Sequence, residues 1–154
     1  MNVKELLKEC QHHKQAVLAT NFYNLETLQA VMRAAQATQS PVLLQLTRSS
    51  IDYMGLKQAV AMARQAIAEY GVQGWIHLDH GGSVEIVERC LDAGFDSVMI
   101  DASEQSFEVN VETTRRVVEM AAPYGVNVEA ELGYVAKLGQ EQGGGFTTPE
   151  EAKL

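Results

Sequence analysis

The chain has 154 residues, 46% hydrophobic, 21% charged and 6% aromatic, ordinary globular usage that excludes a disordered or collagen-like polypeptide. Twelve Lys and Arg against twenty Asp and Glu give a formal charge of −8, which argues against nucleic acid as a partner. No apolar run approaches the ~20 residues of a membrane span, residues 1–15 lack a signal-peptide core, and Cys10 and Cys90 form no CxxC, so reduced thiols in a cytoplasmic protein with no membrane partner are expected. An opening polar helix carries His12 and His13, both read as solvated. Val17–Ala19 is a short apolar run. Leu25, Leu28, Val31, Met32 and Ala35 recur at helical spacing. Ser40-Pro41 breaks that helix, and Val42–Leu46 reads as a strand. Leu56 to Tyr70 is an Ala-rich helix stopped at Gly71. Strands come next at Trp75–Asp79, Ser97–Ile100 and Asn127–Glu131. Helices at Val84–Ala93 and Phe107–Ala122 separate them. A glycine-rich loop runs from Gly133 to Gly145, and its Gly139–Gly145 stretch is either a lid or only a flexible connection. Thr148 and Pro149 then look like the N-cap and N1 of a last helix.

Five short apolar strand runs alternating with helices describe an α/β protein with a parallel sheet covered on both faces. Length favours a doubly wound open sheet, since a (β/α)8 barrel takes about 250 residues. Local chemistry favours the barrel. Polar or acidic residues stand at the C-terminal end of every strand: Thr20 and Asn21, Gln45 and Thr47, Asp79 and His80, Asp101, Glu129 and Glu131. In a barrel these ends converge on one mouth. No GxGxxG follows the first strand and no P-loop is present, so Rossmann-type nucleotide binding has no support.

The densest constellation is His77-Leu78-Asp79-His80-Gly81. Strand alternation puts His77 and Asp79 on one side, and Gly81 and Gly82 let the backbone turn beyond them. A neutral imidazole can bind a metal while a neighbouring carboxylate moves a proton. The plainer reading makes Asp79 a cap for the next helix beside a surface His80, and His77 a satisfied core histidine. Asp101 either joins the site or accepts bonds from the amides of the next loop. Glu129 and Glu131 share one face of the last strand, where two carboxylates need partners or a cation.

The runs HLDHG, GFDSVMIDAS, FEVN, VNVEAELG and FTTPEEAK, in this order and spacing, resemble the class II, metal-dependent ketose-bisphosphate aldolases. The resemblance extends from about Leu18 to the last residue. It implies a (β/α)8 TIM barrel, of which residues 1–154 supply about five βα units as one partial domain. It implies cleavage of a ketose 1,6-bisphosphate, fructose or tagatose, to dihydroxyacetone phosphate and glyceraldehyde 3-phosphate. Asp79 matches the family's catalytic aspartate. His80 matches the first of three zinc histidines, and Asp101 and Glu131 match acids that hold a second or displaced metal in some members. The implied cofactor is Zn2+, with a further divalent or monovalent cation. The implied partners are the sugar bisphosphate and triose phosphates, within a cytoplasmic homo-oligomer. Two departures stand out. The later units, with two more zinc histidines and a phosphate-binding loop, are absent, and neither His12 nor His13 replaces them. Val135-Ala136-Lys137 stands where many members have Gly-Gly. The first and fifth strands would therefore be open edges. The alternative reading is a non-catalytic fragment or subunit that stabilises a partner chain.

Overall fold

The computed structural model describes residues 1–133 and 145–153. Helix α1, Val3–His13, starts from a capping box: the Asn2 side chain accepts from the Glu5 N–H, and the Glu5 carboxylate accepts from the Asn2 N–H, both at 2.9 Å. Strand β1 is Leu18–Asn21, followed by α2, Leu25–Thr38. Strand β2, Val42–Thr47, leads into the short helix α3, Arg48–Met54, and then α4, Leu56–Tyr70. Strand β3, Gly74–Gly81, precedes α5, Val84–Asp92, and β4, Ser97–Ile100, precedes α6, Phe107–Ala121. A 3-10 turn, Ala122–Tyr124, brings the chain to β5, Asn127–Ala130.

One chemical device recurs after the strands. Asn24, Thr47, Ser83 and Ser106 each cap the next helix, their side chains accepting an N–H from its first turn. The expected start at Thr148 has the same chemistry: Thr148 and Glu151 exchange backbone-to-side-chain bonds of 2.8 and 3.2 Å. This cap opens only a single 3-10 turn, Glu151–Lys153, and Pro149 lies in the turn before it rather than at N1.

The five strands are parallel and lie in the order β1-β2-β3-β4-β5. Each pairs with its neighbour in sequence, and the order never reverses. A doubly wound sheet needs such a reversal at its switch point; an arc of a barrel does not. The outward side chains of the central strands, such as Leu44, Leu46, Ile76 and Leu78, are fully buried beneath α2, α4 and α5. Ala59, Ala63 and Ala66 let α4 approach the sheet closely. The other face differs. Near the strand starts, Leu43 and Trp75 pack with Val3 and Leu6 of α1, and the Trp75 indole donates to the Met1 carbonyl at 3.2 Å. Helix α1 thus closes the end opposite the site. Strands β1 and β5 are the edges of this sheet; β1 is largely exposed, Leu18 to 66%, and β5 is exposed over its last two residues. Among the described residues, no helix is long and apolar enough to cross a membrane.

Gly81 is a packing requirement. A Cβ there would lie 2.6 Å from the Met99 carbonyl oxygen and 2.8 Å from Leu78 Cδ2. The first contact is with a ladder carbonyl that cannot step aside. Gly81→Ala is expected to cost about 1–3 kcal/mol, measurable as a lowered urea midpoint at unchanged m-value.

Candidate metal and catalytic site

The β3 backbone sets out the site. Leu78 points outward and is fully buried, while His77 and Asp79 face inward. Between Leu78 and Gly81 the register with β4 shifts, and His80 takes φ of 49° there. A left-handed conformation costs a non-glycine residue about 1 kcal/mol. It swings the imidazole off the strand alternation and across the ends of β4 and β5. His80 Nδ1 then stands 2.8 Å from Asp101 Oδ2 and 3.6 Å from Glu131 Oε2, and its Nε2 stands 3.9 Å from Asp79 Oδ1.

His80, Asp101 and Glu131 each place one ligand atom within 4.8 Å of the other two. Atoms bound at ~2.1 Å to one four-coordinate zinc lie about 3.4 Å apart, so the triangle needs little adjustment to close on a cation. The donor set, one imidazole nitrogen and two carboxylate oxygens, also suits zinc. Opposite an ionised carboxylate Nδ1 has to carry the ring hydrogen, and a cation bound there would displace it. The Asp101 hydrogen bond and nearby carboxylates raise the His80 pKa above its usual value despite partial burial. Burial works against the Asp101 charge, but hydrogen bonds from Ser103 and His80 outweigh it and hold the carboxyl low. Ser103 donates both its N–H, at 3.1 Å, and its hydroxyl, at 2.6 Å, to Asp101 Oδ1. Oδ2 is left free to face His80. Asp101 is therefore the loop acceptor of one reading, and its second oxygen lies beside His80, where the other reading would have it.

Asp79 caps no helix, since Ser83 caps α5. It is clamped by two amides instead. Asn21 Nδ2 donates to Oδ2 at 2.7 Å and Gln45 Nε2 to Oδ1 at 3.4 Å. Beside it opens a cleft of about 510 Å³, lined by Asn21, Tyr23, Thr47, Ser50 and Tyr53 among others, within the size range of small-ligand sites.

His77 is the satisfied core histidine of the plainer reading: 2% exposed, with Nδ1 2.9 Å from Ser97 Oγ and Nε2 3.6 Å from Glu129 Oε2. Burial pushes its pKa down to about 4, so the contact with Glu129 is not an ion pair at neutral pH. Burial, and then the Asp79 charge, raise the Glu129 pKa. Glu129 of β5 and Glu131, one residue past its end, thus each face a histidine, Glu129 toward His77 and Glu131 toward His80. His12 and His13 are exposed on α1, far from the site in the fold, and contact each other edge to face. Residues 134–144, with Val135-Ala136-Lys137 and all but the last glycine of the candidate lid, lie outside the described residues.

Asn21 and Gln45 stand out in the sequence only as polar strand ends, and Ser103 and Asn110 lie inside the recognised runs without a role. The register supplies what spacing lacks: Asn21 pairs with Gln45, Gln45 with His77 and Thr47 with Asp79. That lateral stack aims three strands at one carboxylate.

A sequentially ordered parallel arc with His80, Asp101, Glu131 and Asp79 gathered at its strand ends has the architecture of an α/β-barrel enzyme, and the family comparison is more specific. The chain belongs to the class-II fructose-bisphosphate aldolase family, whose model matches residues 1–154, α1 included. It is 46% identical over 144 residues to a fructose-bisphosphate aldolase of Geobacillus stearothermophilus, covering 92% of this chain and 50% of that protein. It is 41% identical over 158 residues to that of Thermus caldophilus, covering 97% and 50%. The crystal structure of the YdjI aldolase from Escherichia coli K12 superposes with a TM-score of 0.87 at 28% identity, covering 98% of this chain and 55% of that one. The chain thus spans about half the length of the relatives it matches, and its sheet is about half of their TIM barrel.

Proposed function

We propose that the full-length enzyme containing this chain is a metal-dependent aldolase that splits fructose 1,6-bisphosphate into dihydroxyacetone phosphate and glyceraldehyde 3-phosphate. The single observation that carries this reading is the triangle of His80, Asp101 and Glu131 beside an amide-clamped Asp79. The relatives' shared name supplies the substrate. We place the first zinc ligand at His80, a second or displaced cation position at Asp101 and Glu131, and the acid–base role at Asp79. Completion of the metal site falls to units beyond these five.

In cleavage, the hydroxyl on the carbon that becomes the aldehyde must lose its proton. Asp79 takes it, the carbon–carbon bond breaks, and its electron pair passes to the ketose-derived half as an enediolate, which takes a proton from solvent at that carbon to leave as dihydroxyacetone phosphate while Asp79 gives its proton back to solvent. In condensation Asp79 returns the proton to the aldehyde oxygen. A divalent cation held by His80 would supply Lewis-acid stabilisation of the negative charge that develops in the ketose-derived half. Asn21 and Gln45 hold the Asp79 carboxylate in one orientation, and the adjoining cleft presents the exposed Tyr23 and Tyr53 side chains to the sugar phosphate.

The test is cleavage by the full-length protein before and after chelation. Activity is expected to vanish with chelator and return with Zn2+; full activity in the metal-stripped protein would overturn the reading. Tagatose 1,6-bisphosphate, the epimer, serves as comparator. Asn21→Leu removes the shorter of the two clamp bonds, and a fall in kcat of about 10–100-fold is expected, with KM little changed. Steady-state kinetics across pH checks it.

A further inference from the structure

We infer that Asn110 is a positioning residue that sets the place of the Glu131 carboxylate in the metal triangle; this rests on the metal reading above. Glu131 lies one residue beyond β5, past the last register pair, Ile100 with Ala130. Its backbone is held from a different element. Asn110, in the second turn of α6 and only 5% exposed, donates from Nδ2 to the Glu131 carbonyl at 2.8 Å. The amide's direction is fixed twice over. A carbonyl demands a donor, and Asn110 Oδ1 is occupied by the Thr114 hydroxyl at 3.3 Å. The bond therefore pins the point where the chain leaves the sheet, and with it the base of the Glu131 side chain. The other two corners have holds of their own: Ser103 fixes Asp101 Oδ1, and the register shift with left-handed φ fixes His80. Asn110 completes the set. Burying an amide to hold a carbonyl one residue past a strand is a costly way to secure a loop. It makes physical sense where a ligand atom must be held to within a fraction of an ångström.

The experiment is a double-mutant cycle on metal binding by the metal-stripped full-length protein, titrated with Zn2+ alone in a calorimeter. Four proteins are compared: unmutated, Glu131→Gln, Asn110→Ala and the double variant. Each single substitution is expected to weaken Zn2+ binding about tenfold, and the double variant to bind no more weakly than Glu131→Gln. A merely structural Asn110 would lower the thermal midpoint but leave the Zn2+ affinity where it was, or give additive losses. Thr114→Val, which frees Oδ1 without emptying the site, is the second probe should Asn110→Ala not fold, and a two- to threefold loss that disappears in the Glu131→Gln background is expected. Absence of Zn2+ uptake by the unmutated full-length protein overturns both the metal reading and this inference. Uptake that Asn110→Ala and Thr114→Val leave unchanged, or losses that simply add, overturn this inference alone.

Discussion

Asp79→Asn is expected to lower kcat of the full-length aldolase by ~10²–10⁴-fold, the range carried by a positioned acid–base group, while leaving KM and zinc content nearly unchanged. The substitution keeps the side chain's shape and removes its ability to accept and return a proton. It also turns one arm of the clamp against itself. Both Asp79 oxygens accept amide hydrogens, from Asn21 and from Gln45. An asparagine can offer an oxygen to only one of them. Its own NH2 meets the other, and the better geometry at Asn21 predicts that the NH2 turns toward Gln45. Loss confined to kcat is the mark of an interaction made only in the transition state. The check is a Michaelis series with fructose 1,6-bisphosphate alongside elemental analysis for zinc. Unimpaired turnover would remove Asp79 from the mechanism.

Much of this site is visible in the sequence because a parallel α/β chain announces its strand ends. Each apolar run stops at a polar residue, and an Asn, Thr or Ser cap opens the next helix within a few positions. That pattern alone places Asp79, His80, Asp101 and Glu131 at strand ends. The choice between open sheet and barrel is less legible, because length argues one way and strand-end chemistry the other. Sequential pairing of all five strands decides it. Helix α3 escapes a reading of the sequence because seven residues with two buried positions, Ser50 and Ile51, carry too little periodicity to be seen. The first strand runs two residues further than its apolar stretch, to Asn21, and that polar extension delivers the Asp79 clamp. The left-handed turn at His80 is invisible as well. Glycine would be the usual occupant, and nothing local signals that β4 slips register there. Contacts made across strands, such as Asn21 with Asp79 over 58 positions, follow from register alone.

Between pH 6.5 and 4 the fold should lose stability through His77, by about 3 kcal/mol in all. Unfolded, this imidazole takes a proton near its ordinary 6.5; folded, burial pushes that step down to about 4. Above pH 6.5 both states are neutral and the residue's contribution is intact. As pH falls, the unfolded chain gains a proton that the folded chain refuses, and about 2 kcal/mol should be gone by pH 5. His80 works in the opposite direction. Its pKa is raised, so the stability it adds is complete below 6.5 and fades as pH rises through the folded value. Its exposure keeps that contribution small. The neutral form of His77 is also the form its neighbours require. Ser97 Oγ accepts from Asn127 Nδ2 at 3.3 Å and faces His77 Nδ1 at 2.9 Å, so its hydroxyl hydrogen is free to donate to that nitrogen. The ring hydrogen then sits on Nε2, directed at the Glu129 carboxylate. The other tautomer would set a lone pair against a carboxylate. Urea unfolding of the chain at pH 7.5, 6 and 5 should show the midpoint falling with pH. His77→Ala should lower the midpoint at pH 7.5 by the cost of its cavity and flatten its fall by about one proton's worth. Parallel curves for the two proteins would mean that His77 is not the residue held neutral beneath Asp79.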